Sequence, residues 1–510
     1  IRQAGLYKHE REIASPQAYD GALRREHVVA DPEARMGRIR SLLVQRAAAA
    51  GGVLKEDPEL LETVCYLCEC PTVILGDIPG EFLSLPSEIL IACLREHQKF
   101  FVVLGADGRP LPHFLSVVDA PGDPEGFIRR GNENVSLSRL ADARFFFEHD
   151  VSVRLEQRKE ELKGILFHPK IGTYYDKSLR MEECAKRLAT LWRGDVLSDV
   201  WAAGHAKADL ASLLVQEKEF TSLQGIAGGL CALAQGHDEE VAHALYDHYR
   251  PLSQDDDLPR NALGCTVALS DKLDTLVEMF RIGQIPSGSR DPFALRRAAM
   301  GALRILIERE LPLDLEAFLS EKRPAPDGLT EFLEGRLRFL WESRGVAYDE
   351  ANAALAFGLT DPLELDRKVR ALHTIRNEHQ EDFDHLSVAF KRAKNILKGL
   401  PPCELDPARF LPASEKEGAG ERALYAACEA VKDEAGRLLD AGDYAQALRV
   451  LSTVRPAVDR FFDDVLVMCD PEGRDPERTA LQQNRLALLR RLVALFDRVA
   501  DFSQIVPRQA

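Results

Sequence analysis

The sequence predicts a multidomain, mostly α-helical protein with an α+β portion at its start, and three observations carry that prediction. The chain has 510 residues, enough at roughly 150 residues per domain for three or four units that bury cores without disulfides. Runs of β-branched and aromatic residues bounded by Gly and Pro occur before about residue 150, and such signals nearly vanish after it. Beyond that point apolar residues recur at helical spacing almost to the end.

In order, Tyr7 to Glu62 reads as long helices, including Pro32 to Ala50 with Arg35, Arg38 and Arg40 on its polar side. Thr72 to Leu75, Phe100 to Leu104 and Phe114 to Val118 read as strands, the last two joined through the turn signal Gly105-Ala106-Asp107-Gly108. Pro121-Gly122-Asp123-Pro124 leads into a helix around Pro124 to Arg130. Helices are then expected over Glu156 to Phe167, Arg180 to Trp192, Leu197 to Val215, Glu239 to Tyr249, Ala262 to Phe280 and Pro292 to Glu308. Gln284 to Asp291, Arg323 to Gly328 and Gly399 to Pro412 interrupt the periodicity with Pro and Gly and mark boundaries. The last part reads as an antiparallel bundle: Ala419 to Ala441 ending at Gly442, Ala445 to Val467, and Glu477 to Ser503 with Arg485, Arg490, Arg491 and Arg498 on a basic face.

With 66 Lys and Arg against 82 Asp and Glu the net charge is −16, and 45% hydrophobic with 29% charged residues are globular proportions. Nothing approaches the ~20 apolar residues of a membrane span. Ten Cys are too sparse for a disulfide scaffold, and Cys231 and Cys428 sit in apolar periodic segments as reduced core thiols would. A cytoplasmic location is expected. The chain begins Ile1-Arg2-Gln3, without Met, basic leader or apolar run, and reads as a fragment of a larger parent.

Signatures of nucleotide chemistry are missing: GxxxxGK[ST], a strand-borne GxGxxG, GxSxG, HIGH and KMSKS do not occur. ATP binding by this chain alone is unsupported. Cys65, Cys68 and Cys70 have a spacing that can grip zinc, yet Cys93 is the nearest further Cys and no second CxxC or HxxxH follows, so buried thiols on an amphipathic helix are expected. A metal hydrolase of the HD type needs a His, a His-Asp pair and a distant Asp on helices. His237-Asp238 precedes a helix, where Asp serves as N-cap. The segment shaped like the motif is Ala202 to Leu210, where Ala208 stands in the place of the His, Lys207 adds a repelling charge, and Asp209 and Asp271 remain as two carboxylates. Arg281, Arg290, Arg296 and Arg297 gather around the helix start Asp291-Pro292, a cluster of the kind that holds phosphate backbones.

The block Arg281 to Arg297 (RIGQIPSGSRDPFALRR), continuing to Leu306, resembles the signature of the β subunit of bacterial heterotetrameric (α2β2) glycyl-tRNA synthetase. Gly131 to Val135, Arg139 to Phe147, Leu166 to Lys177, Ala389 to Leu397 and Asn484 to Ser503 look like further blocks of that family in the same order, so the resemblance covers essentially the whole chain, although the family has additional sequence ahead of Ile1. It implies four parts: residues 1–150, an α+β domain like the B3/B4 domain of phenylalanyl-tRNA synthetase; 151–310, a degenerate HD-like helical domain; 311–404, a helical linker and body-tail; and 405–510, an anticodon-binding helical bundle.

The resemblance also implies a division of labour. A separate α subunit holds the class II site with ATP and Mg²⁺, whereas this chain carries no catalytic residue and no cofactor and binds tRNA(Gly), without DNA or membrane as partner. Arg485, Arg490 and Arg491 would take anticodon-side phosphates, Lys391, Arg392 and Lys394 a second stretch, and Arg290, Arg296 and Arg297 the acceptor arm. The competing readings are an HD-type nucleotide phosphohydrolase with Mn²⁺ or Fe²⁺ at Asp209 and Asp271, and a helical scaffold that binds only proteins.

Overall fold

The computed structural model describes residues 13, 15–194 and 196–507. The expected helical run from Tyr7 starts outside them, and within them the first helix is α1 (Tyr19–Arg25). In α2 (Pro32–Ala49) the Asp31 carboxylate caps the first turn through Glu33 N, and Ile39, Leu43 and Ala47 are buried. Arg35, expected on the polar side, is instead 7% exposed: its Nε donates to the Cys65 carbonyl at 2.7 Å and its Nη1 to that of Val29 at 2.6 Å. It ties α2 to α3 (Pro58–Leu67).

Strands β1 (Val53–Leu54), β2 (Pro71–Asp77), β3 (Phe101–Leu104) and β4 (Pro110–Asp119) form an antiparallel sheet in the order β1-β3-β4-β2. The period of two sends Phe101, Val103 and Leu115 into one core with α2 and α3, and Val102 and Phe114 into another with Leu90 of α4 (Ser87–Ala92) and Leu140 of α5 (Phe127–Ser152). Both faces are buried, which is why these strands read as continuous apolar runs. The predicted turn at Gly105 to Gly108 joins β3 to β4, with Gly108 at φ +77°. Gly76 lies opposite Phe114, and a Cβ there would run into its ring. Helix α5 starts three residues later than expected, after Gly126 at φ +67°, and its first N–H groups are held by Asp123.

Past α5 the expected continuous helices break. The segment Glu156 to Phe167 becomes α6 (Leu155–Glu161), a turn at Leu162–Gly164, and the first strand of a small hairpin, β5 (Leu166–His168) with β6 (Gly172–Thr173). A capping box between Thr173 and Asp176 opens α7 (Tyr174–Trp192). The segment Leu197 to Val215 is α8 (Leu197–His205), a 3₁₀ turn at Ala208–Ala211, and α9 (Leu213–Gln216), whose N-terminus is capped by Ser212. Then come α10 (Ile226–Ala234), α11 (Glu239–Asp247) and α12 (Ala262–Arg281). Asp238 sits at the N-cap of α11 but makes no side-chain cap, contrary to expectation; only its carbonyl joins the helix.

The chain divides into two compact units, one formed by residues up to Arg250 with Asp257–Asp271, the other by Pro251–Asp256 with Lys272 onward. The second unit holds α13 (Leu295–Glu308), α14 (Leu315–Ser320), α15 (Leu329–Ser343), α16 (Tyr348–Leu355), α17 (Pro362–Glu378), α18 (Gln380–Leu397), α19 (Lys416–Asp440), α20 (Tyr444–Ser452), α21 (Arg455–Asp464) and α22 (Pro476–Asp497). The helix expected over Ala445 to Val467 is two, because Pro456 cannot continue α20 but suits the first turn of α21. Phe390 of α18, Cys428 of α19, Phe461 of α21 and Phe496 of α22 meet in one core, with Phe390 and Phe496 centroids 4.4 Å apart. The protein is mostly helical, and among the described residues no helix is long and apolar enough to cross a membrane.

Candidate nucleic-acid interface

Two places could hold chemistry: the buried charges of the first unit and the cationic faces of the second. In the first, Asp271 of α12 takes Lys177 of α7 at 2.9 Å on one carboxylate oxygen and Lys207 at 2.7 Å on the other. Both lysine side chains are about 2% exposed. Their charges hold the Asp271 carboxyl far below the usual range despite its burial. Burial pushes Lys207 down to about 8 and Asp209 up to about 6, although Gly225 N–H donates to Asp209. Lys207 also lies 3.6 Å over the Tyr249 ring.

This arrangement gives the metal-hydrolase alternative no support. At Ala208 no imidazole is present, and both oxygens of Asp271 face ammonium groups where a cation would sit. His205 donates to the Trp201 carbonyl at 2.6 Å and stacks on that indole, on which His237 also packs. No group of three or more His, Cys, Asp or Glu suited to a metal occurs among the described residues. Dialysis against a chelator is therefore expected to leave the melting temperature unchanged; a fall restored by Mn²⁺ would contradict this assignment. Cys65, Cys68 and Cys70 are buried, Cys65 and Cys68 donate to the carbonyls of Pro32 and Val64, and burial raises the Cys68 thiol to about 11.

In the second unit the nine expected tRNA-facing residues fall into two groups. Arg485, expected at a phosphate, is fully buried: its Nε donates to Glu421 at 2.5 Å, Nη2 to Glu417 at 3.0 Å and Nη1 to the Leu466 carbonyl at 2.8 Å. It holds α22 to α19 and is withdrawn from the surface set. Arg490 is half-buried and donates to the Leu400 carbonyl at 3.0 Å, Arg491 pairs with Glu429 beside Tyr425, and Lys394 bridges Asp497 and Asp501 at 3.0 and 2.9 Å. These three join helices to each other or to the linker.

Arg290, Arg297, Lys391 and Arg392 are exposed, and none has an ion-pair partner among the described residues. Arg296 is half-buried, and its Nη2 donates to the Gly288 carbonyl at 2.8 Å. Asp291 caps α13, accepting from Leu295 N at 2.8 Å and Arg296 N at 2.9 Å; Pro292 precedes the helix rather than opening it, because Ala294 takes φ +53°. On α18, Lys391 and Arg392 border a groove of about 720 Å³ with Val388, Asn395, Ile505 and Pro507. Arg392 lies 4.7 Å over the Phe462 ring and also borders a cavity of about 980 Å³ whose other charged walls, Glu381, Asp384, Asp459 and Asp463, are acidic. Cations over an apolar floor suit a nucleic-acid strand, whereas acidic walls repel one.

Sequence reasoning missed Arg336 of α15, which is half-buried close to Arg296; burial and that guanidinium together push it down. Nothing in its own neighbourhood of sequence marks it, since the packing of α13 on α15 brings it there.

The family model of the glycyl-tRNA synthetase β subunit matches residues 3–356. Among curated relatives, the glycine–tRNA ligase β subunit of Syntrophus aciditrophicus is 36% identical over 97% of this chain and 71% of the relative. That of Acidobacterium capsulatum is 38% identical over 97% and 72%, and that of Marinobacter nauticus 39% identical over 96% and 71%. Matches of this extent, over a fold whose signature block forms the arginine-rich start of α13, leave one assignment: the chain belongs to the glycyl-tRNA synthetase β-subunit family.

Proposed function

We propose that this chain supplies tRNA recognition for glycine attachment and carries no catalytic residue of its own. ATP and Mg²⁺ are bound by a separate class II α subunit in an α2β2 assembly, and β grips tRNA(Gly) at its acceptor arm and anticodon. In this reading residues 1–150 are the B3/B4-like domain, 151–310 the degenerate HD-like domain, 311–404 the linker and body-tail, and 405–510 the anticodon-binding bundle. The observation that carries the proposal is the set of exposed cations on α13 and α18, left without acidic partners in a protein of net charge −16. Surplus acid is available nearly everywhere to neutralise them, so a polyanion is the fitting occupant.

The RNA-facing set is accordingly Arg290, Arg296, Arg297, Lys391 and Arg392, with Arg490, Arg491 and Lys394 behind it and Arg485 in the core. Arg297→Ala is expected to weaken binding to all tRNAs alike and to lower the salt slope by about one, with stability unchanged within about 0.5 kcal/mol. Equal affinity and slope in that variant would remove the start of α13 from the interface. Reconstitution tests the division of labour: purified α with this chain should charge tRNA(Gly), whereas this chain alone should not, and charging by the chain alone would refute the assignment of catalysis to α.

A further inference from the structure

We propose that Arg336 and Arg296, with the exposed ring of Phe339, form a site for one unpaired nucleotide of RNA, the guanidinium groups taking its phosphate and the ring its base. The proposal rests on the tRNA-recognition reading and deepens it by naming a single-strand contact.

Phe332, Arg336 and Phe339 share one face of α15 at a spacing of four and three residues. The Arg336 guanidinium carbon is 5.9 Å from the centroid of Phe332 and 5.5 Å from that of Phe339. Phe332 is held by Phe280 at 5.1 Å, while Phe339 is 46% exposed. The Nε of Arg336 is buried and has no hydrogen-bond partner among the described residues. Charged donors are rarely left so, because a buried N–H without an acceptor loses its hydration and gains nothing.

Its neighbour makes matters worse, since Arg296 has the same sign and the two disfavour each other. Asp291 is the carboxylate that opposes them, and its two oxygens already accept from the backbone N–H groups of Leu295 and Arg296. Two neighbouring guanidinium groups, opposed by a carboxylate whose oxygens already accept from backbone N–H groups, suit a phosphodiester, whose oxygens accept from planar N–H forks. An exposed ring beside that phosphate site offers a stacking surface that any base can use. A paired base has no free face, so the ring selects an unpaired one. An acidic protein side chain would satisfy the arginines and leave Phe339 without a purpose.

The test uses the full chain, fluorescence anisotropy with a short single-stranded RNA and a blunt RNA hairpin, and the melting temperature of each variant. Arg336→Met should lower single-strand affinity about tenfold and leave the melting temperature equal or higher, because a disfavoured charge is removed. Phe339→Leu should lower single-strand affinity about tenfold and leave the hairpin unchanged, while Phe339→Trp keeps wild-type affinity. Unchanged single-strand affinity in Arg336→Met and Phe339→Leu, with wild type binding normally, would overturn the site alone. A lower melting temperature with equal losses on both RNAs would assign Arg336 a structural role and overturn it too. Loss of α-subunit association with RNA binding intact would make this a protein contact, again against the proposal. Failure of the wild type to bind either RNA or tRNA(Gly) would instead fail the recognition reading, and this site with it.

Discussion

Replacing Arg485 by Ala is expected to destabilise the second unit by about 3–5 kcal/mol, read as a lower denaturant midpoint or melting temperature. The size follows from what remains: Glu421 is fully buried on α19, and its carboxylate would lose the cation that now donates to it at 2.5 Å. Glu417 and the Leu466 carbonyl would lose donors as well. At a temperature where the variant stays folded, its tRNA affinity should equal that of the wild type. A variant with normal stability and weakened RNA binding would restore Arg485 to the interface and show its pairing with Glu421 to be unimportant.

Asp271→Ala should cost a similar amount, about 3–5 kcal/mol, in the first unit, since the two ammonium groups would lose the carboxylate with which both of them pair in the core. The folded-state carboxyl lies below its ordinary value of 3.8, so its contribution is complete above about pH 4 and is lost as pH falls below that value. Acid unfolding of the wild type should therefore steepen below pH 4, and the variant should lack that component. The triple change Lys177→Met, Lys207→Met, Asp271→Leu should recover most of the loss, because an apolar cluster of similar volume needs no balance of charge. If Asp271→Ala were as stable as wild type, the lysines would not depend on it.

Strands over 71–77 and 101–104 announce themselves because both sheet faces are buried and apolar residues run together at 73–75 and 101–104. Long helices announce themselves by period, and the Pro- and Gly-rich breaks at 284–291, 323–328 and 399–412 fall outside them. Interruptions set by tertiary bonds are silent: the helix expected over Leu197 to Val215 breaks where Asp209 turns inward to Gly225. Composition also hides the direction of a charge. Arg485 and Arg491 are six residues apart on α22, yet one is fully buried and the other half-exposed, and Glu421, which decides the first, lies 64 residues away in the chain. Arg35 reads as a polar-face residue for the same reason, its acceptors being carbonyls rather than patterned side chains. The arginines at 290–297 were legible because loop, Pro and charges are contiguous, whereas Arg336 enters through helix packing.

Recognition of tRNA(Gly) is checked by equilibrium binding of the purified chain to tRNA(Gly) and to a non-cognate tRNA across a salt series. With about six phosphates neutralised, affinity should fall roughly a thousandfold between 50 and 200 mM salt, with the cognate tRNA bound more tightly throughout. Equal binding of both tRNAs, or a salt slope near zero, would contradict recognition of tRNA(Gly) by this chain.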